Sequence, residues 1–214
     1  MRLNVPLYKQ STLYTCGPSS ANMVLSYFKK KKPTKEMEFK LWKETMAIPF
    51  KIASPYNVAN ALAKRGLKVI LFMKNNSTTK KEIEICFKYE NVPKALQNQM
   101  FEYYKYYKNL SRIDAKKNRV KFVNKRPDVN VVLEMLKKNY VVIVFSDYYP
   151  INKLVLKKKE HIPHIMVIKG FEKDCLIIND PYTKEIKLPI KYFSDLLKTK
   201  KYFKMEPSLI VVKA

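Results

Sequence analysis

The stretch Gln10-Ser-Thr-Leu-Tyr-Thr-Cys16-Gly17-Pro18 runs directly into Ser-Ser-Ala-Asn-Met-Val-Leu-Ser-Tyr-Phe28, and these residues decide the fold. From Cys16 onward the segment is apolar on nearly every side, which predicts a buried helix over residues 16–28. Gly17 and Pro18 suit the start of this helix, because a first-turn proline lacks an N–H that would have no partner there. The chain therefore carries a thiol at the first turn of a buried helix, directly after a polar loop.

A cysteine in this position is suited to nucleophilic chemistry. The positive end of the helix and its nearby peptide N–H groups favour the reactive thiolate form of Cys16. The alternative is that Cys16 is only a small buried hydrophobic residue. A cysteine nucleophile also needs a base, and the chain has only two histidines, His161 and His164. The surroundings of these histidines therefore decide between the two interpretations.

His164 opens an apolar strand predicted over residues 164–169, and a second strand is predicted over residues 175–179. Asp180 follows the second strand directly. A hairpin folded about Glu172 would place His164 opposite Asp180, where Cβ atoms of paired residues lie roughly 4.5–5.5 Å apart. A carboxylate at that distance can orient an imidazole so that the imidazole accepts a thiol proton.

The prediction depends on the hairpin register, since a slip of one residue would send the two side chains to opposite faces of the sheet. In the same register His161, which precedes Pro163 in a loop, faces no carboxylate. We therefore predict that His161 is a surface histidine and that His164 is the base.

Acyl transfer also needs donors for the oxyanion that develops on the carbonyl. Gln10 lies on the loop that leads to the predicted helix, so its side-chain amide is one candidate. The backbone N–H of Cys16 is the second. A glutamine in a loop is more often simply solvated, so Gln10 is a candidate only in combination with Cys16 and His164.

The three cysteines have no spacing typical of a metal site, and only two histidines are present. We therefore expect neither a metal nor a cofactor. The odd number of cysteines favours free thiols in a reducing compartment over a disulfide framework. Cys86 and Cys175 are predicted to be packing residues.

The rest of the chain predicts an α+β fold, with helices first and a mostly antiparallel sheet afterwards. We expect one domain over residues 1–214, with a more polar helical insertion at about residues 76–125. Further helices are predicted at residues 34–46, 54–65, 128–138 and 190–198. Further strands are predicted at residues 67–73, 120–123, 141–145, 185–188 and 209–213.

The chain is strongly basic, with 43 Lys and Arg against 18 Asp and Glu, and a net charge of +25. Only five of the basic residues are arginine, the side chain most used for specific phosphate and base contacts. Aromatics alternate with lysines over residues 101–108, but their helical spacing favours a packing face over a nucleic-acid surface. The sequence thus does not favour nucleic acid, while an acidic peptide or protein partner stays open.

No apolar run approaches the ~18–20 residues that a membrane span requires. The first ten residues also lack the apolar core of a signal peptide. We therefore expect a cytoplasmic protein without a membrane span.

The pattern as a whole resembles the papain-like peptidase domain of bacteriocin-processing exporters, peptidase family C39. In that family the order along the chain is Gln, Cys, His and Asp, as for Gln10, Cys16, His164 and Asp180 here. The resemblance implies a papain-like fold, with the nucleophile on a buried helix packed against a mostly antiparallel sheet that carries His and Asp. It also implies that Cys16 is the nucleophile, His164 the general base and acid, Asp180 the orienting carboxylate and Gln10 the oxyanion donor.

The chain is most similar to the stand-alone C39-like group, which has counterparts of Leu41-Trp42-Lys43-Glu44 and of Leu188-Pro189. Family members cleave leader peptides, often after a double glycine. The sequence lacks an exporter's membrane domain and ATPase, so the resemblance does not imply leader-peptide export. Residues 48–55 also lack the glycines typical of the stand-alone group, so its substrates are not carried over.

The function expected from this resemblance is a cysteine hydrolase that cleaves a peptide or amide bond through a thioester intermediate. An acyltransferase could use the same residues, since the outcome depends on whether water or an amine reaches the thioester first. A third hypothesis is a non-catalytic binding module whose basic surface engages an acidic protein or a nucleic acid. Such a module would bind with a steep salt dependence that the substitution Cys16→Ala leaves unchanged.

Overall fold

A computed structural model of the chain describes residues 1–74, 78–158, 160–198 and 206–214. Within these ranges a single sheet has seven strands: β1 (Lys68–Met73), β2 (Lys121–Val123), β3 (Val141–Asp147), β4 (Pro163–Glu172), β5 (Cys175–Asn179), β6 (Glu185–Pro189) and β7 (Ser208–Lys213). The strand order is β2-β1-β7-β3-β4-β5-β6. Neighbouring strands run antiparallel except β1 and β2, which are parallel. The predicted mixture of helices and a mostly antiparallel sheet is therefore confirmed.

The helices are α1 (Cys16–Lys29), α2 (Lys35–Thr45), α3 (Pro55–Ala63), α4 (Lys80–Tyr89), α5 (Gln97–Lys117), α6 (Val129–Lys137), α7 (Tyr149–Ile151) and α8 (Ile190–Lys198). A 3₁₀ turn covers Lys94–Leu96, and a π-helical turn covers Asn152–Leu156. Among these helices, none combines the length and the apolar composition that a membrane crossing requires. The helical turns after β3 were not predicted, because each is too short to show helical periodicity.

The helix ends follow local sequence signals in part. The Thr34 side chain accepts a hydrogen bond from the Met37 N–H and caps α2, as its sequence position predicts. Ser54, a residue type that often caps helices, precedes α3, but its side chain makes no cap hydrogen bond. Gly66 lies just beyond α3 at a φ of +85°, the left-handed conformation expected of a helix-stopping glycine.

The sheet separates two apolar cores. Because side chains alternate along a strand, Ile165 and Val167 of β4 enter one core, whereas Met166 and Ile168 enter the other. Helices α1 and α3 supply most of the helical residues of the first core, and α6 and α8 cover the second. Both faces of β4 are therefore buried, which explains its continuous apolar sequence.

Helix α1 lies against the beginning of β4 at very short range. The Ser20 hydroxyl donates to the Ile165 carbonyl at 3.1 Å. A methyl group at Gly17 would lie 2.4 Å from the Ala53 Cβ and 3.0 Å from the Ile165 Cδ1. A residue without a side chain at position 17 thus lets the first turn of α1 approach the start of β4.

The β4–β5 hairpin differs from the predicted register. Ile168 pairs with Ile178, not with Leu176, and a bulge between Ile168 and Gly170 shifts the pairing again. The bulge lies where the N-terminal segment pairs antiparallel with β4, with Arg2 bridged to Gly170. A Cβ at Gly170 would lie 2.4 Å from the Met1 carbonyl oxygen, so only glycine fits beside this segment.

Near the beginning of β4 the error in register amounts to two residues, as the pairing of Ile168 shows. Because the side-chain period of a strand is two, a shift by two residues keeps every side chain on its predicted face. The prediction that His164 and Asp180 lie on one side of the sheet therefore survives the wrong register.

Most of the predicted insertion forms helices α4 and α5, while residues 76 and 77 lie outside the described residues. These helices build a third apolar cluster around Phe50, Cys86 and Phe87. The Phe50 ring also lies 5.6 Å from the Tyr104 ring of α5. The same stretch ends in β2, which belongs to the central sheet.

The substitution Gly17→Ala is expected to destabilise the protein, because the added methyl group collides with Ala53. Overpacking of this kind lowers the free energy of unfolding by about 1–3 kcal/mol. In a chain of this length each 1 kcal/mol lowers Tm by about 2–4 °C, which circular dichroism can follow. The double variant Gly17→Ala with Ala53→Gly should regain most of the lost stability. A Gly17→Ala protein as stable as the original chain would contradict the close approach.

Candidate active site

His164 and Asp180 lie in direct contact at one edge of the buried sheet. His164 is the second residue of β4, and Asp180 is the first residue after β5. The His164 Nε2 atom lies 2.7 Å from the Asp180 Oδ1 atom. The side chains are 6% and 0% exposed, so the pair is shielded from solvent.

The Asp180 carboxylate is surrounded by donors. Its Oδ2 atom accepts from the Tyr148 hydroxyl at 2.5 Å and the Thr183 hydroxyl at 2.6 Å. Its Oδ1 atom also accepts from the Tyr182 N–H at 3.0 Å. Burial alone would raise the pKa of Asp180, but the charge of His164 and these hydrogen bonds lower it below its usual value. Asp180 is therefore held as a carboxylate.

Cys16 lies at the first position of α1, close enough to His164 for its thiol to influence the imidazole. Since Asp180 occupies Nε2, the Nδ1 atom of His164 is the one that can serve the sulfur. Burial lowers the pKa of His164, but the charges of Asp180 and Cys16 raise it more strongly, to about 10. This arrangement favours an imidazolium held between the Asp180 carboxylate and Cys16.

Gln10 is held by its own loop and by the loop after β5. Its Nε2 atom donates to the Thr12 carbonyl at 2.7 Å, and its backbone N–H donates to the Pro181 carbonyl at 2.8 Å. The Oε1 atom is buried and has no hydrogen-bond partner among the described residues. Nε2 carries a second hydrogen, so the amide can serve another acceptor without releasing Thr12.

Tyr148 and Thr183 were not identified from the sequence. Thr183 lies three residues after Asp180 in a turn where Asp180 also accepts from a backbone N–H, and such Asp-initiated turns have a recognisable sequence signal. Tyr148 has no such signal. It reaches the site from the end of β3, and its ring lies 4.4 Å from the His164 ring.

Tyr89 of the helical insertion contacts the loop before Cys16. The Tyr89 hydroxyl donates to the Leu13 carbonyl at 3.1 Å, on the loop before Cys16. Its ring meets the Tyr14 ring edge-on at 5.7 Å. Burial, followed by the charges of Cys16 and neighbouring groups, raises the pKa of Tyr89 to about 12. Tyr89 therefore contacts the loop before Cys16 through both its hydroxyl and its ring.

The prediction that His161 faces no carboxylate was wrong. Its Nδ1 atom lies 2.5 Å from the Oδ2 atom of Asp147, and the Tyr149 ring stacks on the imidazole at 4.3 Å. The carboxylate belongs to β3, where Asp147 pairs with Pro163, and the predicted β4–β5 hairpin did not include that strand. The His161 side chain is 25% exposed.

Within the described ranges, no group of three or more His, Cys, Asp or Glu residues has an arrangement that could hold a metal ion. Cys86 is buried in the third apolar cluster, and burial raises the pKa of its thiol. Cys175 is partly buried at the beginning of β5. Neither of these two thiols belongs to the cluster around His164.

The ionisation of His164 can be measured by NMR, because the chain has only two histidines. Since its pKa is raised to about 10, the His164 imidazole should stay protonated between about pH 5 and pH 8. Cys16→Ser removes the sulfur that raises the pKa of His164 and should therefore lower that pKa, while His161→Ala assigns the two sets of signals. A His164 that titrates near about 6.5 in both the original chain and Cys16→Ser would contradict this electrostatic arrangement.

Two solved structures resemble the chain over nearly its full length. One is a double glycine motif protease from an AMS/PCAT transporter, crystallised in complex with the leader peptide. Its TM-score is 0.50 and its identity 15%, over 100% of this chain and 94% of that one. The other is a C39-like peptidase from Bacillus anthracis, with a TM-score of 0.50 and 14% identity over 99% of this chain and 96% of that one.

These likenesses confirm the predicted α+β, papain-like peptidase fold. No curated protein matches the chain. A family model described as "Peptidase_C39 like family" matches residues 5–192, which is most of the sequence. The chain therefore belongs to the Peptidase_C39 like family, in agreement with the resemblance in its sequence.

Proposed function

We propose that this protein is a cysteine hydrolase that cleaves a peptide or amide bond through a thioester intermediate. Cys16 is the nucleophile, His164 the general acid and base, and Asp180 the group that orients His164. The observation that carries the proposal is the buried chain of contacts from the Cys16 thiol through the His164 ring to Asp180. Membership of a peptidase-like family supports the same chemistry.

In the acylation step the Cys16 sulfur attacks the substrate carbonyl carbon, and a carbon–sulfur bond forms. His164 gives its Nδ1 proton to the leaving nitrogen, which departs as an amine with the electrons of the broken carbon–nitrogen bond. Asp180 keeps the ring in place and stabilises its positive charge. The product of this step is a thioester between Cys16 and the acyl half of the substrate.

In the deacylation step a water molecule loses a proton to His164 and attacks the thioester carbonyl. The carbon–sulfur bond breaks, and Cys16 leaves with its electrons as a thiolate. The acyl half departs as a carboxylic acid, and the charged pair of Cys16 and His164 is restored. If an amine takes the place of water, the same residues perform acyl transfer.

Two donors are available for the oxyanion of each step. The N–H of Cys16 belongs to the first turn of α1, whose N–H groups have no acceptor within the helix. The side-chain amide of Gln10 supplies the second donor through the hydrogen that Thr12 does not use. Removing one such donor typically costs about 100- to 1000-fold in rate.

A peptide or protein is the substrate class that this site fits best. One structural relative was crystallised in complex with a leader peptide, which supports a peptide substrate here. The net charge of +25 favours substrates with acidic residues, because the electric field of a basic protein attracts them to its surface.

The thiol chemistry can be tested by alkylation with limiting iodoacetamide near pH 6, with each cysteine measured by mass spectrometry. An ordinary thiol, with a pKa of about 8.5, is almost entirely protonated at that pH. We expect Cys16 to react much faster than Cys86 or Cys175, and His164→Ala to slow its reaction. His161→Ala is the matched control and should have little effect. Equal reactivity of the three cysteines would refute the proposed nucleophile.

Hydrolysis can be tested with a mixture of peptides from a digested proteome, analysed for new termini by mass spectrometry. The original chain should produce cleavages that are absent with Cys16→Ala. His164→Ala should be nearly as inactive, whereas Asp180→Asn should keep residual activity, because Asp180 orients His164 and does not itself react. Salt-sensitive binding of acidic peptides without cleavage would favour a binding module.

A further inference from the structure

Glu38 is a fully buried carboxylate outside the cluster of Cys16, His164 and Asp180. It lies on α2 with 0% exposure. The chain has 43 Lys and Arg residues, yet Glu38 forms no salt bridge within the described part of the chain. A buried charge without a cation must be compensated by hydrogen bonds.

The donors to Glu38 all come from the loop before Cys16 and from α1. Oε1 accepts from the Ser11 N–H at 2.8 Å and the Ser19 hydroxyl at 3.0 Å. Oε2 accepts from the Ser11 hydroxyl at 2.5 Å and the Tyr8 hydroxyl at 2.9 Å. Burial raises the pKa of Glu38, but these donors lower it below its usual value, so the group stays ionised at neutral pH.

These contacts surround both oxyanion donors. Tyr8 and Ser11 flank Gln10, and Ser19 lies on the first turn of α1, just after Cys16. On its other side the loop is held by the bond from the Gln10 N–H to the Pro181 carbonyl. The loop is therefore fixed to α2 through Glu38 and to the Asp180 turn through Gln10.

We propose that Glu38 is a positioning residue that fixes the Gln10 loop to the first turn of α1, so that the oxyanion donors keep their place beside the Cys16 sulfur. This inference rests on the proposed hydrolase function. A carboxylate suits the role because it only accepts hydrogen bonds and has room for four donors. An amide at this position would turn N–H groups towards those donors and lose part of the contact.

Two reactions of the Cys16 thiol can distinguish an effect on the oxyanion donors from an effect on the thiol itself. With p-nitrophenyl acetate, the sulfur attacks the carbonyl carbon, an oxyanion develops, and the carbon–oxygen bond breaks to release p-nitrophenolate and leave acetylated Cys16. With iodoacetamide, the sulfur displaces iodide from a saturated carbon, so no oxyanion forms. A residue that acts through the oxyanion donors should affect the first reaction and not the second.

The test measures both second-order rate constants for the original chain and for Glu38→Gln. The rates with Cys16→Ala are subtracted, because the many lysines also react with the ester. We expect Glu38→Gln to lower the acetylation rate constant about 10- to 100-fold, as small misplacements of catalytic groups do. Alkylation should stay within about twofold, since it needs no oxyanion donor. Glu36→Gln, an exposed residue of the same helix, is the matched control and should change neither rate.

A double-variant cycle tests whether Glu38 acts through Gln10. In a Gln10→Ala background the further change Glu38→Gln should lower acetylation by less than about twofold, because the two residues act as one unit. Independent effects that multiply in the double variant would overturn the inference. An equal loss of acetylation and alkylation in Glu38→Gln would also overturn it, because that pattern marks general damage to the site.

If Glu38→Gln does not fold, Ser11→Ala and Tyr8→Phe remove one donor each and leave the buried carboxylate in place. Each should lower acetylation selectively, and unchanged acetylation in both would overturn the inference. Failure of the proposed function has a different signature. In that case Cys16 of the original chain reacts with iodoacetamide no faster than Cys86, whatever residue occupies position 38.

Discussion

The close approach of α1 to the beginning of β4 is the constraint on which the rest of the site depends. Ala53 and Ile165 leave no room for a side chain at position 17, so the first turn of α1 lies in close contact with the beginning of β4. Because Cys16 precedes Gly17 and His164 precedes Ile165, the same packing that closes the apolar core brings the thiol to the imidazole. The apolar core and the site therefore depend on the same close approach of α1 to β4.

Two of the buried carboxylates, Asp180 and Glu38, organise the region around the site. Asp180 is matched by His164, two hydroxyl groups and a backbone N–H, whereas Glu38 is matched by hydroxyl and N–H donors alone. In a low-dielectric interior such fully bonded anions fix their partners with good geometry. Asp180 thereby sets the orientation of His164, and Glu38 holds the loop that carries Gln10. The excess positive charge lies mainly on the surface and takes little part in this order.

The helical insertion contacts the loop before Cys16, and the N-terminal segment contacts β4. Tyr89, at the end of α4, holds the loop before Cys16 through the hydrogen bond from its hydroxyl to the Leu13 carbonyl. The first residues of the chain pair antiparallel with β4 at Gly170, where the bulge in the strand shifts the register of the β4–β5 hairpin. Tyr89 acts through its side-chain hydroxyl, whereas the N-terminal segment contacts the backbone of β4 and requires a glycine at position 170.

Local patterns in the sequence were enough to predict the helix that begins at Cys16, the apolar strand that contains His164 and the aspartate that follows the next strand. These features follow from local periodicity and from turn-forming residues, which act over a few neighbouring positions. Only the folded chain shows the bulge at Gly170, the Asp147 partner of His161, and the hydrogen bonds of Tyr148 and Glu38. Each of these depends on atoms from distant segments that meet only when the sheet and its helices have closed, so no local pattern in the sequence can encode them.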